Sequence, residues 1–493
     1  MWQKINDTSN GKIWARGLGV FGVIGKPKNE KTCISKIRTE KNRAYKMIEK
    51  LNIEAFELID LVTYKPNEIP MERPELSGSI KERGFVDLSD KLVGYGIERT
   101  TDHIGNTISI FIHKENGSYG FNEFDFHKFG TLVENLNSLE SFNKKASLSF
   151  IEAETLKWVI NVYNSKKAES SLYDCLMSSI DLQVKPYTFY FPILNLEIET
   201  SFKIGNVEFT FFTKEYFDTL YKSLKEKNKT LTEKTFSNIY RKDFQGKVLA
   251  KVTVTGERNK AEEIAKDVAE ISVDVLKLFS ETAIAVAEKK TMFDLNHKLS
   301  YQLESNYLTH NQDKEDSLSI NSKYNNYPFT FTEKHYNSAK QLGLKTFSDF
   351  ISKRQDCELN DIIIQSIHLF GFAISNWDLN LRCVNLITIL ESIFLKDDDE
   401  WKMEEKTKKR LANLLSNQQQ EKERIKIIFS NIYQVRHKMI HKAKRLNIDF
   451  KELSEAQRII VTAFIRLIQF NLEFGYKDKL ALIEKLEETK TDN

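Results

Sequence analysis

Side chains that handle protons and phosphates crowd into one short stretch, Tyr433-Gln434-Val435-Arg436-His437-Lys438-Met439-Ile440-His441. Residues 436–445 hold five cations (Arg436, Lys438, Lys442, Lys444, Arg445), two histidines and no acid. Histidine is the side chain suited to moving protons near neutrality, and arginine stabilises negative charge developing on phosphoryl oxygens. Such a set, without acidic metal ligands, suits cleavage of RNA, in which the ribose 2′-hydroxyl attacks the neighbouring phosphorus. DNA has no such internal nucleophile. On this reading one fixed cation, two titratable imidazoles and the Tyr433 phenol face one groove, and Lys438, Lys442, Lys444 and Arg445 hold the RNA backbone. Two plainer readings stand beside it. A basic helix end complements the macrodipole for about 0.3–1 kcal/mol, and two histidines four apart can hold zinc, although no third ligand lies nearby in sequence.

The stretch needs a helix to position it. From about Glu421 onward, Ile425, Ile428, Phe429, Ile432, Val435, Met439 and Ala443 form one apolar stripe at helical spacing. Arg436 falls within that stripe, about 20° from Ile425 on a helical wheel. A guanidinium stays charged, so at a buried position it requires a carboxylate or a phosphate. Tyr433, His437 and His441 line the adjoining flank. Arg436 and His441 lie about 140° apart on an ideal helix, so either the helix ends near His441 or a second copy of the chain completes the site. The partner for Arg436 is predicted from segment 381–395, which is apolar on most sides, as a central bundle helix should be. Glu391 shares a face there with Val384, Ile387, Phe394 and Leu395. Two opposite charges misplaced on apolar faces pair most simply with each other, as a buried salt bridge or as a device that aims Arg436 at a phosphate.

Around these helices the chain divides by pattern. From Thr332 everything reads as helical, with periodic segments at 359–375, 379–396, 401–416, 421–444, 452–474 and a short tail at 478–488. That is an all-α bundle, assigned to residues 331–493. Residues 301–330 turn polar and read as a linker or exposed loop. Residues 141–300 mix helices at 147–163 and 259–285 with strands at 187–212 and 247–255, including a hairpin turn at Gly205-Asn206, and so form an α+β domain. Its many aromatics suit core packing better than base stacking. Residues 1–140 give no clear fold, although 36–62 reads as helix and 107–113 as strand. The run Gly17-Leu18-Gly19-Val20-Phe21-Gly22, with Gly25-Lys26 after it, lacks the strand, helix and spacing of a dinucleotide or phosphate loop.

The 493 residues carry a net charge of only +3, so a nucleic-acid footprint must be local. Cys33, Cys175, Cys357 and Cys383 form no CxxC pair, which fits buried thiols in a reducing cytosol. No apolar run reaches membrane-spanning length, and the polar start is unlike a signal peptide. A cytoplasmic protein with no membrane partner is expected.

Residues 379–474 resemble the HEPN superfamily of helical nucleases, and within it the ApeA-like branch of bacterial antiphage proteins. The likeness rests on Arg436-His437-Lys438-Met439-Ile440-His441, which matches the family's R-x4-H signature with a polar second residue. It extends to Ile389-Leu390-Glu391-Ser392-Ile393-Phe394, Lys409-Arg410-Leu411-Ala412 and Ile432-Tyr433-Gln434-Val435. The glycine that often follows the family's histidine is replaced by Lys442-Ala443. The resemblance implies a metal-independent endoribonuclease with no cofactor, acting as a homodimer in which two Arg/His motifs face one another, with Arg436 and His441 catalytic, His437 and Tyr433 supporting them, and Glu391 as the buried acid. It also implies cleavage of transfer RNA or other host RNA in abortive infection, with the N-terminal 330 residues sensing a phage-derived trigger or restraining the nuclease.

Overall fold

In the computed structural model, the described residues are 45–66, 96–114, 116–211, 213–227, 237–238, 240–286, 293–295, 305–309, 317–321, 328–376 and 378–488. The glycine-rich run at 17–26 and the first part of the helix expected at 36–62 lie outside them. The chain forms an N-terminal α+β region and a C-terminal helical region. By packing it falls into two compact units, one drawn from residues 1–136 and 152–177, the other from 137–151 and 178–493.

In the first unit, helix α1 (45–57) precedes strands β1 (Thr63–Lys65), β2 (Ile97–Thr101), β3 (Thr107–Lys114) and β4 (Gly117–Phe121). The strands form one antiparallel sheet in the order β1-β4-β3-β2. Ile110, Phe111 and Ile112 of β3 are buried, so this strand is covered on both faces rather than alternating cleanly. Gly120 must be glycine, because a Cβ there would overlap the Ile110 carbonyl oxygen of the neighbouring strand.

The second unit begins with an antiparallel sheet of β5 (Lys185–Leu194), β6 (Phe202–Ile204), β7 (Val207–Phe211), β8 (Val248–Gly256) and β9 (Asp294–Leu295). Its order is β9-β5-β8-β7-β6. The predicted turn at Gly205-Asn206 joins β6 to β7, with Gly205 at φ +59°. The aromatics here pack with one another, as Phe202 does on Phe209 at 4.8 Å between ring centres. Helix α2 (Arg258–Lys277) lies on this sheet, capped by Glu257, whose carboxylate accepts from the Asn259 and Lys260 amides.

The helical region follows, with α3 (Glu358–Ser375), α4 (Leu379–Phe394), α5 (Met403–Leu415), α6 (Gln419–Lys442), α7 (Phe450–Phe474) and α8 (Lys479–Glu488). Each end falls within two residues of the sequence expectation. Helix α4 touches all five others, the central position its apolar sequence demands. Two expectations change. Residues 305–309 and 317–321, within the 301–330 that composition reads as a linker or exposed loop, pair as antiparallel strands. Composition separated 141–300 from 331–493, yet one buried cluster runs from Ile193 through Val275 to Phe464, so packing joins the sheet to the helices. Of the thiols described, only Cys383 is buried; Cys175 and Cys357 are partly exposed, and Cys33 lies outside the described residues. Among the described residues no single helix is long and apolar enough to cross a membrane.

Candidate functional site

Helix α6 buries Ile425, Ile428, Phe429, Ile432, Tyr433 and Val435 against the bundle. Arg436 is one position further along and comes to the rim of that face, with 28% of its side chain exposed. From there its Nη2 donates to Oε2 of Glu391 at 3.0 Å. Glu391 sits in the last turn of α4, where the Leu395 amide donates to its carbonyl. Burial holds its carboxyl above the ordinary glutamate value, and the pull of Arg436 and Tyr433 in the other direction is smaller. The Tyr433 phenol is raised by burial as well. Its hydroxyl and that of Thr407 are both buried without a hydrogen-bond partner of good geometry, although each lies near enough to Glu391 or to the other to feel it.

A cavity of 410 Å³ opens beside this pair. Its lining comes from three helices: Glu391 of α4, Met403 and Glu404 of α5, and Tyr433, Gln434, Arg436, His437 and Lys438 of α6. Glu404 is held from behind, since Lys408 donates to its Oε1 at 2.6 Å and to the Ser430 hydroxyl at 2.6 Å.

His437 and His441 are exposed, their ring centres 5.0 Å apart at 48°. Of the two, only His437 lines the cavity. The helix does end close to His441, at Lys442, and Ala443 follows at φ +49° with its amide donating to the Lys438 carbonyl. That left-handed cap is where a glycine would be free of strain. Ending there does not bring His441 round to Arg436, because both residues lie within the regular helix. Among the predicted RNA-binding cations, Lys438 lines the cavity, Lys442 and Lys444 are exposed at the helix end, and Arg445 is engaged with Asp378 at 2.7 Å. Leu446 is clasped through its backbone by the Asn380 side chain, at 3.0 Å and 3.1 Å. No group of three or more His, Cys, Asp or Glu placed to hold a metal occurs among the described residues.

Sequence reasoning passed over three buried charges. Arg382, in the same segment as Glu391, is wholly buried and has no carboxylate partner among the described residues. It donates to the Ile374 and Asn376 carbonyls, both at 2.8 Å, and to Gln457 at 3.2 Å. Burial draws its pKa down to about 10. Arg410 binds the Phe394 carbonyl at 2.6 Å, Asp399 and Glu487, fastening the end of α4 to α5 and α8. Lys277 of α2 bridges Asp274 at 2.8 Å and Asp294 at 2.6 Å, while His368 Nδ1 meets Asp274 at 2.7 Å. Arg382 breaks an apolar run as openly as Glu391 does, and that signal could have found it; Lys277 looks like a surface pair with Asp274 in sequence, and Arg410 has its acidic partners 11 and 77 residues away. Compared with family models, curated proteins and solved structures, the chain matches none.

Proposed function

We propose that the protein is an endoribonuclease of the HEPN type, acting on transfer RNA or other host RNA in bacterial antiphage defence. Arg436 and His441 do the chemistry where two copies of the chain meet. The observation that carries this reading is the split in the motif: Glu391 holds Arg436 beside a cavity, while His441 stands exposed at the end of the same helix and outside that cavity. A second chain facing the first supplies the missing half of each site. Arg436 then stabilises charge on the phosphoryl oxygens, and His441 transfers the proton of the attacking 2′-hydroxyl or of the leaving 5′-oxygen. Metal-independence and the role of the N-terminal residues in sensing a trigger come from the family resemblance alone.

A second reading has one observation in its favour. Arg436, His437 and Lys438 all line the single-chain cavity, so a HEPN-type module that binds RNA or nucleotides without cutting would not need His441. The test is to incubate purified protein with total transfer RNA in EDTA, and to express wild type, Arg436→Ala and His441→Ala in bacteria. Fragments ending in cyclic phosphate and growth arrest, both lost in either variant, are expected. Cleavage that survives both substitutions, or an inert wild type, would remove the nuclease reading.

A further inference from the structure

The geometry points to the cavity beside Arg436 as a pocket for one nucleotide, its phosphate on Arg436 and Lys438 and the edge of an amino-bearing base on Glu404 and Gln434. This deepens the ribonuclease reading by naming what sets base preference, and it rests on that reading only for the claim that the bound nucleotide flanks a cut.

A site for phosphate alone would be lined by donors. Here two carboxylates share the lining with Arg436, His437 and Lys438. Glu391 is accounted for by Arg436. Glu404 is not part of that pair; Lys408 holds its Oε1, and its Oε2 accepts no hydrogen bond among the described residues. A carboxylate fixed by one oxygen at the cavity wall, with the other open to solvent, is placed to accept an N–H donor from a ligand. Guanine, cytosine and adenine each present an exocyclic amino group. Uracil offers a single N–H between two carbonyl oxygens, which the carboxylate repels. Gln434 can donate or accept and so completes the hydrogen bonding of either edge. Met403, 39% exposed, gives the base a polarisable apolar surface to lie on. At 410 Å³ the cavity falls within the range of small-molecule sites. RNA recognition of this kind, with an unstacked base read along its edge, is how single-stranded RNA is usually distinguished.

The experiment is calorimetric titration of the full chain with guanosine, cytidine, adenosine and uridine 3′-monophosphates and with inorganic phosphate. The expected result is that the three amino-bearing nucleotides bind about tenfold or more tightly than uridine 3′-monophosphate, the scale of one good base contact. Glu404→Gln, at a residue with 45% of its side chain exposed and still able to accept from Lys408, should erase or reverse that order. Four nucleotides binding alike, phosphate binding as well as any of them, or an unchanged order in Glu404→Gln would each overturn the pocket. Ordered binding with intact transfer RNA would leave the pocket standing and end the nuclease reading. Cleavage without base preference and without ordered binding would do the reverse.

Discussion

Glu391 meets Arg436 at 3.0 Å between two bundle helices, yet burial outweighs the guanidinium and holds its carboxyl above the ordinary glutamate value. A folded-state pKa above the unfolded value means the folded protein holds this proton more tightly. The stability gained is fully present below the ordinary glutamate value near 4.5 and is lost as pH rises through the raised folded value. Glu391→Gln removes that dependence. Urea midpoints of wild type and Glu391→Gln should therefore move apart in favour of wild type as pH falls from 7 towards 4.5; curves that stay parallel would contradict the raised carboxyl.

Asp399 should behave in the opposite sense. Burial pushes its carboxyl up, but Arg410, Lys406 and the Lys396 amide more than offset this and leave it well below the usual range. Its contribution is present above the ordinary aspartate value near 3.8 and is lost as pH falls towards the folded value. Asp399→Asn should be clearly less stable than wild type at pH 7, with the gap narrowing below pH 4 in the same measurement.

Arg382 anchors the corner between α3 and α4. Arg382→Met keeps much of the volume but strands two carbonyls and the Gln457 amide oxygen in the core. A loss of about 3 kcal/mol or more in unfolding free energy is expected, since each unmet buried group costs on the order of 1–3 kcal/mol. A loss below about 1 kcal/mol would mean that water or a repacked side chain serves those acceptors.

Gly371 lies inside α3, where alanine ordinarily favours a helix by up to about 1 kcal/mol. Here its Cβ would overlap the Asp274 carboxylate and push it away from Lys277 and His368. Gly371→Ala should thus destabilise, by about 2–4 kcal/mol for overpacking against a buried charge. Thermal unfolding with the sign reversed would refute the contact.

The ribonuclease reading carries a concentration dependence. If each site needs two chains, the cleavage rate per chain should fall on dilution, in step with the dimer fraction seen by sedimentation velocity. A rate per chain that stays constant while the protein becomes monomeric would place the whole reaction in one copy.

The bundle was legible because its helices are long and strongly periodic, with an apolar face on the outer ones and apolar residues on most sides of the central α4. The Glu391–Arg436 pair was legible for the same reason, each charge being the odd residue on its own stripe. Arg382 breaks a stripe too, but its partners are carbonyls at a helix corner that only the folded chain assembles. Asp274 and Lys277, three apart on α2, read in sequence as an ordinary surface pair; the groups that meet them, His368 and Gly371 of α3 and Asp294, come from later in the chain. Strands 305–309 and 317–321 were missed because polar residues dominate them and their ladder is built from backbone groups. The cavity beside Arg436 is a product of three helices and has no signature in any one of them.

The turn at Ala443 closes the helix just beyond the motif, and the chain after it is moored separately from Arg436. Arg436 is tied inward to α4 through Glu391, whereas His441 rides on a terminal turn fastened by the Asn380–Leu446 clasp and the Arg445–Asp378 bridge. Because both side chains leave one regular helix, the Glu391 tether also limits where the imidazole can point, and a change in the outer fastening bears on the chain after Ala443 rather than on their separation.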